Sequence, residues 1–125
     1  MRFKWNYSGK EGEEVAVSYL IEKEYEIIDT GYKAVGVEID IIAKKDDTIS
    51  FIEVKTRKND AYGFPEEYVN KSKAKRIIRG ANFFLSLKKN EKYDDYFKSI
   101  DVISIIYGSG NYEIEFIENA YEENW

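Results

Sequence analysis

The sequence predicts an α/β fold, a mixed central sheet flanked by helices with the element order αβββαββ. Three observations predict it. Ser8-Gly9-Lys10-Glu11 is a capping box that opens a helix close to the N-terminus. Val37 to Thr56 holds two alternating, β-branched runs on either side of a polar turn. A second helical segment separates the third strand from the fourth, and a connection of that length permits a parallel crossover. At 125 residues the chain is expected to form one domain over 1–125, with a structured core from about 9 to 121.

The elements follow in order. The first helix runs from its Ser8 cap to about Glu24. Tyr25 to Lys33 supplies a strand, Ile27 and Ile28 being its apolar part, and Gly31 marks a break and turn. Val37–Lys44 and Ile49–Thr56 form a hairpin around Lys45-Asp46-Asp47-Thr48. Residues 57–64 read as a loop. Pro65 then suits the first position of a helix, with Glu66 and Glu67 in its first turn, and this helix continues to about Leu87. Ile100–Tyr107 and Tyr112–Ile117 are strands around Gly108-Ser109-Gly110-Asn111, and the acidic tail from Glu118 to Trp125 is expected to fray.

Composition narrows the chemistry. The chain has no histidine and no cysteine, which excludes an imidazole base, a Ser-His-Asp triad, a thiol nucleophile and a His- or Cys-held zinc. Carboxylates, lysines, hydroxyls and a hard metal ion remain. No run approaches a signal peptide or a membrane span, so a cytoplasmic protein with no membrane partner is expected. The net charge of −5 opposes nucleic-acid binding in total, but its distribution does not. Lys71, Lys73, Lys75, Arg76, Arg79, Lys88, Lys89 and Lys92 crowd one segment against Glu91 alone. Local charge of this kind can steer a polyanion, but alone such a run is more often a solvated helix face.

The hairpin is the specific part. If Lys44 pairs with Ile49, Asp40 lies opposite Glu53 and Glu38 opposite Lys55, placing two carboxylates and an ammonium on one patch. Glu13 shares a helical face with Ala16, Val17 and Leu20, and Lys73 recurs with Val69, Ile77 and Ala81 at four-residue spacing. Charged residues on core-facing stripes are exceptions that need a reason. Opposed carboxylates repel, and a divalent cation relieves that repulsion; an all-oxygen donor set suits Mg²⁺ or Mn²⁺. The same residues also read as a cross-strand salt-bridge cluster on a sheet face, worth about 0.2–1 kcal/mol per pair.

Asp40, twelve intervening residues and Glu53-Val54-Lys55 resemble the D…(D/E)xK signature of the PD-(D/E)xK nuclease superfamily. The surrounding text is more particular. Gly12-Glu13-x-x-Ala16, Tyr19-Leu20, Glu38 to Ala43, Phe51 to Arg57, Gly63-Phe64-Pro65, Val69-x3-Lys73, Ala81 and Asp101-Val102-Ile103 resemble the YraN family. These are small bacterial proteins taken to be endonucleases, distantly related to archaeal Holliday junction resolvases. The resemblance implies a restriction-endonuclease-like core and metal-dependent hydrolysis of phosphodiesters. It implies Glu13, Asp40 and Glu53 as metal ligands, with the Val54 carbonyl as a further one. Lys55 would act on the attacking water, and Asp40, Glu53 and Lys55 together form the catalytic set. Lys73 and Arg57 would contact the nucleic acid. Val37 stands where the family has Gly, with Gly36 one place earlier, and Ser99-Ile100 stand where it has Arg-Phe.

Taken together these readings give an expected Mg²⁺- or Mn²⁺-dependent endonuclease acting on branched or structured DNA. Arg57, Lys73, Arg76 and Arg79 are its expected nucleic-acid contacts. A nucleic-acid-binding module of the same fold without efficient catalysis is the alternative, and an interaction protein using its Tyr and Phe rings is a third reading. Cleavage of two strands by a resolvase would call for a homodimer that presents two sites.

Overall fold

The computed structural model describes residues 9–58, 71–108 and 110–121, with side chains from residue 11 onward. The Ser8 cap, the loop from 59, the Pro65 helix start and the last four residues lie outside the described residues. The order is helix α1 (Gly9–Glu22), strands β1 (Glu26–Ala34), β2 (Val37–Lys45) and β3 (Thr48–Lys58), helix α2 (Lys71–Ser86), a 3-10 helix (Lys88–Tyr93), and strands β4 (Phe97–Gly108) and β5 (Asn111–Ile117). The five strands lie in sequence order across one sheet. All neighbours are antiparallel except β3 and β4, which are parallel. The connection through α2 therefore is the predicted crossover, because parallel neighbours cannot be joined by a tight turn.

Helix α1 stops two residues short of the expected end. Tyr25 N–H donates to Leu20 O at 2.9 Å and Glu24 N–H to Ile21 O at 3.0 Å, with Glu24 at φ 70. That is a Schellman closure made without glycine. The strand β1 runs straight through Gly31, and its turn comes later, at Val35-Gly36, where both residues have positive φ (48 and 76). Two positive φ values in a two-residue loop are the signature of a type I′ hairpin, whose twist matches that of its strands. The 3-10 helix has no counterpart in the sequence reading, since its residues are the basic Lys88-Lys89 segment. Asn90 holds it by donating to Phe84 O at 2.8 Å.

Each face of the sheet carries one helix. On one side Val15, Ala16 and Leu20 of α1 bury against Ile41, Ala43, Ile52, Ile103 and Ile105. On the other, Ala74, Ile77, Ile78, Ala81 and Phe84 of α2 bury against Ile39, Ile42, Ile49, Phe51, Ile100 and Val102. Phe84 anchors α2: its ring meets Tyr32 edge-on at 5.3 Å and Phe51 at 6.1 Å. Burial of such a ring contributes about 2–3 kcal/mol. Near the middle of α2, Gly80 lets the helix close on β2. A Cβ there would stand 3.2 Å from Ile39 Cδ1 and 3.4 Å from Val37 Cγ1. The Val37 that departs from the family pattern thus packs against a helix position with no side chain.

Val35 is β-branched, 45% exposed and held in the left-handed region, which costs a residue of this kind about 1–3 kcal/mol. Asn tolerates that conformation. Val35→Asn is expected to stabilise the protein by about 1 kcal/mol, read as a higher urea midpoint at unchanged slope. A lower midpoint would show that the Val35 side chain is held by packing.

Candidate functional site

The β2–β3 register is the one expected, Lys44 opposite Ile49, but the ladder ends at Ile41 opposite Ile52. Beyond that point β2 stays with β1, as far as Ala34 opposite Val37, while β3 stays with β4 as far as Lys58 opposite Tyr107. The two strands part. Alternation along β2 also slips by one residue there: Ile41 and Ala43 pack toward α1, whereas Ile42, Ile39 and Val37 pack toward α2. The expected pairs Asp40–Glu53 and Glu38–Lys55 therefore do not form as ladder partners. A side chain takes over where the ladder stops. Val54 N–H donates to Asp40 Oδ2 at 2.8 Å, satisfying a backbone donor that the diverging strand leaves behind.

The parted strands open a cleft of about 260 Å³ lined by Gly36, Val37, Glu38, Asp40, Glu53, Lys73, Arg76 and Ile77. Glu53 is its centre. Lys73 Nζ from α2 lies 2.5 Å from Glu53 Oε1, and Lys55 Nζ lies 4.0 Å from the same oxygen. Glu13 approaches from α1, on the other side of the sheet. Its Oε1 is buried with no hydrogen-bond partner among the described residues. Two helices and two strands thus bring Glu13, Asp40, Glu53, Lys55 and Lys73 to one end of the sheet.

The electrostatics are those of a site short of positive charge. Burial pushes the Asp40 carboxyl up to about 6; the Val54 N–H holds it down in part, while Glu53, Glu13 and Glu38 push it further up. Burial also raises Glu13, helped by Glu38 and then Glu53. Lys55 moves the other way: burial lowers it, and the neighbouring Lys73 lowers it further. Lys73 stays high because Glu53 stabilises its ammonium against the cost of burial. Glu38, which sequence spacing put on the patch but not among the ligands, adds charge to both Asp40 and Glu13.

The other expected contacts spread outward. Arg76 lines the cleft, and Arg79 is exposed one turn along α2. Arg57 is half-buried on β3, opposite Ile106 of β4 and outside the residues that line the cleft. A second polar cluster sits on β4 toward the β2–β3 turn, where Asp101 stands opposite Ile52. There the buried Asp101 accepts from Ser99 Oγ at 2.5 Å and from Asn119 N–H at 2.7 Å. In the sequence Asp101 stands only within a family motif. Its place in the fold is structural, since it ties the segment after β5 back to β4.

Among the described residues no three acidic side chains converge closely enough to ring an ion unaided. The residues nonetheless fit one. Mg²⁺ and Mn²⁺ use one or two carboxylates and complete their shell with water and phosphate. Asp40 and Glu53 give that number, Glu13 Oε1 lacks a partner, and every donor is oxygen.

A five-stranded mixed sheet with a helix on each face and an Asp, a Glu and two lysines where its strands part defines a restriction-endonuclease-like α/β core. The chain belongs to the UPF0102 family, the YraN family of the motif resemblance: Uncharacterised protein family UPF0102 matches residues 12–105. A UPF0102 protein of Clostridium perfringens is 41% identical over 121 residues, covering 94% of this chain and 97% of its own. One from Syntrophus aciditrophicus is 39% identical, covering 92% and 88%. One from Persephonella marina is 38% identical, covering 96% and 97%.

The raised Asp40 sets a pH dependence. Between the ordinary value of 3.8 and the folded value of about 6, the folded state holds a proton the unfolded state has lost. Stability from this group is therefore full below pH 3.8 and lost as pH rises through about 6. Asp40→Asn keeps an acceptor for Val54 and carries no charge. In metal-free buffer at pH 7.5 it is expected to stabilise the protein by about 1–2 kcal/mol after allowance for solvent screening. The measurement is chemical denaturation from pH 4 to 7.5, where the variant's loss of stability with rising pH should be smaller than wild type's.

Proposed function

We propose that this protein is a Mg²⁺- or Mn²⁺-dependent endonuclease that hydrolyses DNA phosphodiesters, with branched or structured DNA as its substrate. The observation that carries this reading is the buried, unpartnered Glu13 Oε1 beside Asp40 and Glu53. In most balanced salt-bridge clusters a buried carboxylate oxygen has a partner.

In this reading Asp40 and Glu53 hold the ion, Glu13 completes the acidic surround, and the Val54 carbonyl is the further ligand implied by the motif. The ion would supply a stabilising charge for the phosphoryl oxygens and acidify a bound water. Lys55 is the residue suited to the water. Its ammonium is partly buried and its pKa is lowered, so it gives up a proton more readily than a surface lysine and can orient or deprotonate the nucleophile. Lys73 and Arg76, both lining the cleft, supply charge for the scissile phosphate. Arg79 and Arg57 extend that charge outward along α2 and β3. Asp40 has a second task, since its bond to Val54 N–H fixes β3 at the residue between Glu53 and Lys55.

The net charge of −5 supports selectivity by shape. Attraction to an ordinary duplex is weak when a few lysines and arginines act against an acidic whole. A substrate whose strands separate can put one phosphate into the cleft without laying a long duplex along the protein. Two cuts in one junction would require a symmetric dimer.

Four-way-junction, flap, single-stranded and linear DNA should be incubated with the protein under Mg²⁺ and under Mn²⁺. Wild type is expected to cut the branched substrates preferentially, and Lys55→Ala to lose at least about a hundredfold in rate. Mn²⁺ should raise the melting temperature of wild type but not of Asp40→Asn. Cleavage that persists in both variants would remove this site from the reaction. Salt-sensitive binding without cleavage under either metal would favour the nucleic-acid-binding module.

A further inference from the structure

Lys73 and Lys55 point at one oxygen. Lys73 Nζ is 2.5 Å from Glu53 Oε1 and Lys55 Nζ is 4.0 Å from it. Glu53 keeps only 11% of its side-chain surface, so this contact is made largely out of water, where an ion pair is strong but costly to leave half-made. Glu53 also lines the cleft. A divalent ion that takes Glu53 Oε1 would need the oxygen that an ammonium already occupies at contact distance.

We propose that Lys73 is the resident counter-cation of the ion site. It holds Glu53 while no divalent ion is bound, a Mg²⁺ or Mn²⁺ ion displaces it from Oε1, and the displaced ammonium goes to the phosphate of the bound strand. The proposal rests on the metal-dependent nuclease reading and adds an order and a coupling to it. The move needs no change of fold. Ala74 and Ile77 fix the helix backbone in the core, while Lys73 keeps 27% of its side-chain surface on a flexible four-carbon stem. Arg76 lies one turn along on the same cleft wall, so a phosphate placed there meets both cations.

Two consequences follow from the exchange. In the free protein Lys73 weakens metal binding, because its bond to Glu53 must be broken first. A phosphate that captures the ammonium removes that competition, so metal and nucleic acid each tighten the other's binding, as linkage requires. The site would then load its ion fully only when a strand is present.

The test is a Mn²⁺ titration of the full chain without nucleic acid, following the paramagnetic resonance signal of free Mn²⁺. Lys73→Met is expected to bind Mn²⁺ roughly tenfold more tightly than wild type. Arg76→Met deletes a charge from the same cleft without touching the Glu53 bond, and should change affinity by less than about threefold. Metal-free Lys73→Met should melt below wild type and regain the difference on Mn²⁺ saturation. A phosphorothioate oligonucleotide should tighten Mn²⁺ binding by wild type but not by Lys73→Met. If Lys73→Met does not fold, Lys73→Gln serves in its place, with a neutral amide that can still donate to Glu53. Equal Mn²⁺ affinity in wild type and the Lys73 variant, or equal shifts for the Lys73 and Arg76 variants, would overturn the exchange. An oligonucleotide effect of the same size on both proteins would overturn the hand-over to phosphate. Wild type that binds no Mn²⁺ would overturn the metal reading itself, and the exchange with it.

Discussion

The hydrogen bond from Val54 N–H to Asp40 Oδ2 stands at the point on which the site depends. There β2 leaves β3, each staying with its outer neighbour. A sheet that parts would ordinarily leave buried donors and acceptors without partners, at about 1–3 kcal/mol each. Here one of them is satisfied by a carboxylate that is itself part of the cleft. The same atom contact therefore ends the ladder, fixes the backbone between Glu53 and Lys55, and sets Asp40 on the cleft wall. Moving either strand by one residue would lose all three effects together.

Charge at that point works against stability. Three carboxylates and two ammoniums share a partly buried end of the sheet, and the balance is uneven. Glu53 has two lysines near one oxygen, while Glu13 Oε1 has no partner. Asp40 is driven toward neutrality, to about 6, with burial as the leading cause. Such groups raise the free energy of the folded state, and the large apolar layers on both faces of the sheet carry that cost. The layer under α2, with Phe51, Phe84 and Ile100 fully or nearly buried, also delivers Lys73. The layer under α1, with Val15, Ala16 and Leu20, delivers Glu13. Core packing and site geometry are thus one arrangement.

Much of this was legible in the chain, for identifiable reasons. The β2–β3 register follows from a polar Lys45-Asp46-Asp47-Thr48 turn between alternating apolar runs, and hairpin register is a local property. Glu13 and Lys73 stood out because each sits on an otherwise apolar helical stripe, a pattern that depends only on 3.6-residue periodicity. The crossover followed from one helix between two apolar strands. Less local features were read differently. Gly31 looks like a turn residue, yet β1 continues through it at φ 62, because pairing with β2 on both sides outweighs one flexible position. Helix α1 ends two residues before the expected Glu24 because Glu24 itself, not a glycine, adopts the left-handed closing conformation.

The sequence by itself determined the element order, the hairpin register, a cleft chemistry limited to oxygen and amine groups, and membership of a family whose motifs span most of the chain. Those are consequences of residue type and short-range spacing, which a linear string records directly. Only the tertiary structure decided where β2 and β3 separate. The partnership of Lys73 with Glu53 and the isolation of Glu13 Oε1 are likewise set there. Each depends on the twist of the sheet and on how closely two helices approach it, down to the missing side chain at Gly80. Distances of that kind are fixed by contacts between residues far apart in the chain, which alternation and periodicity do not encode.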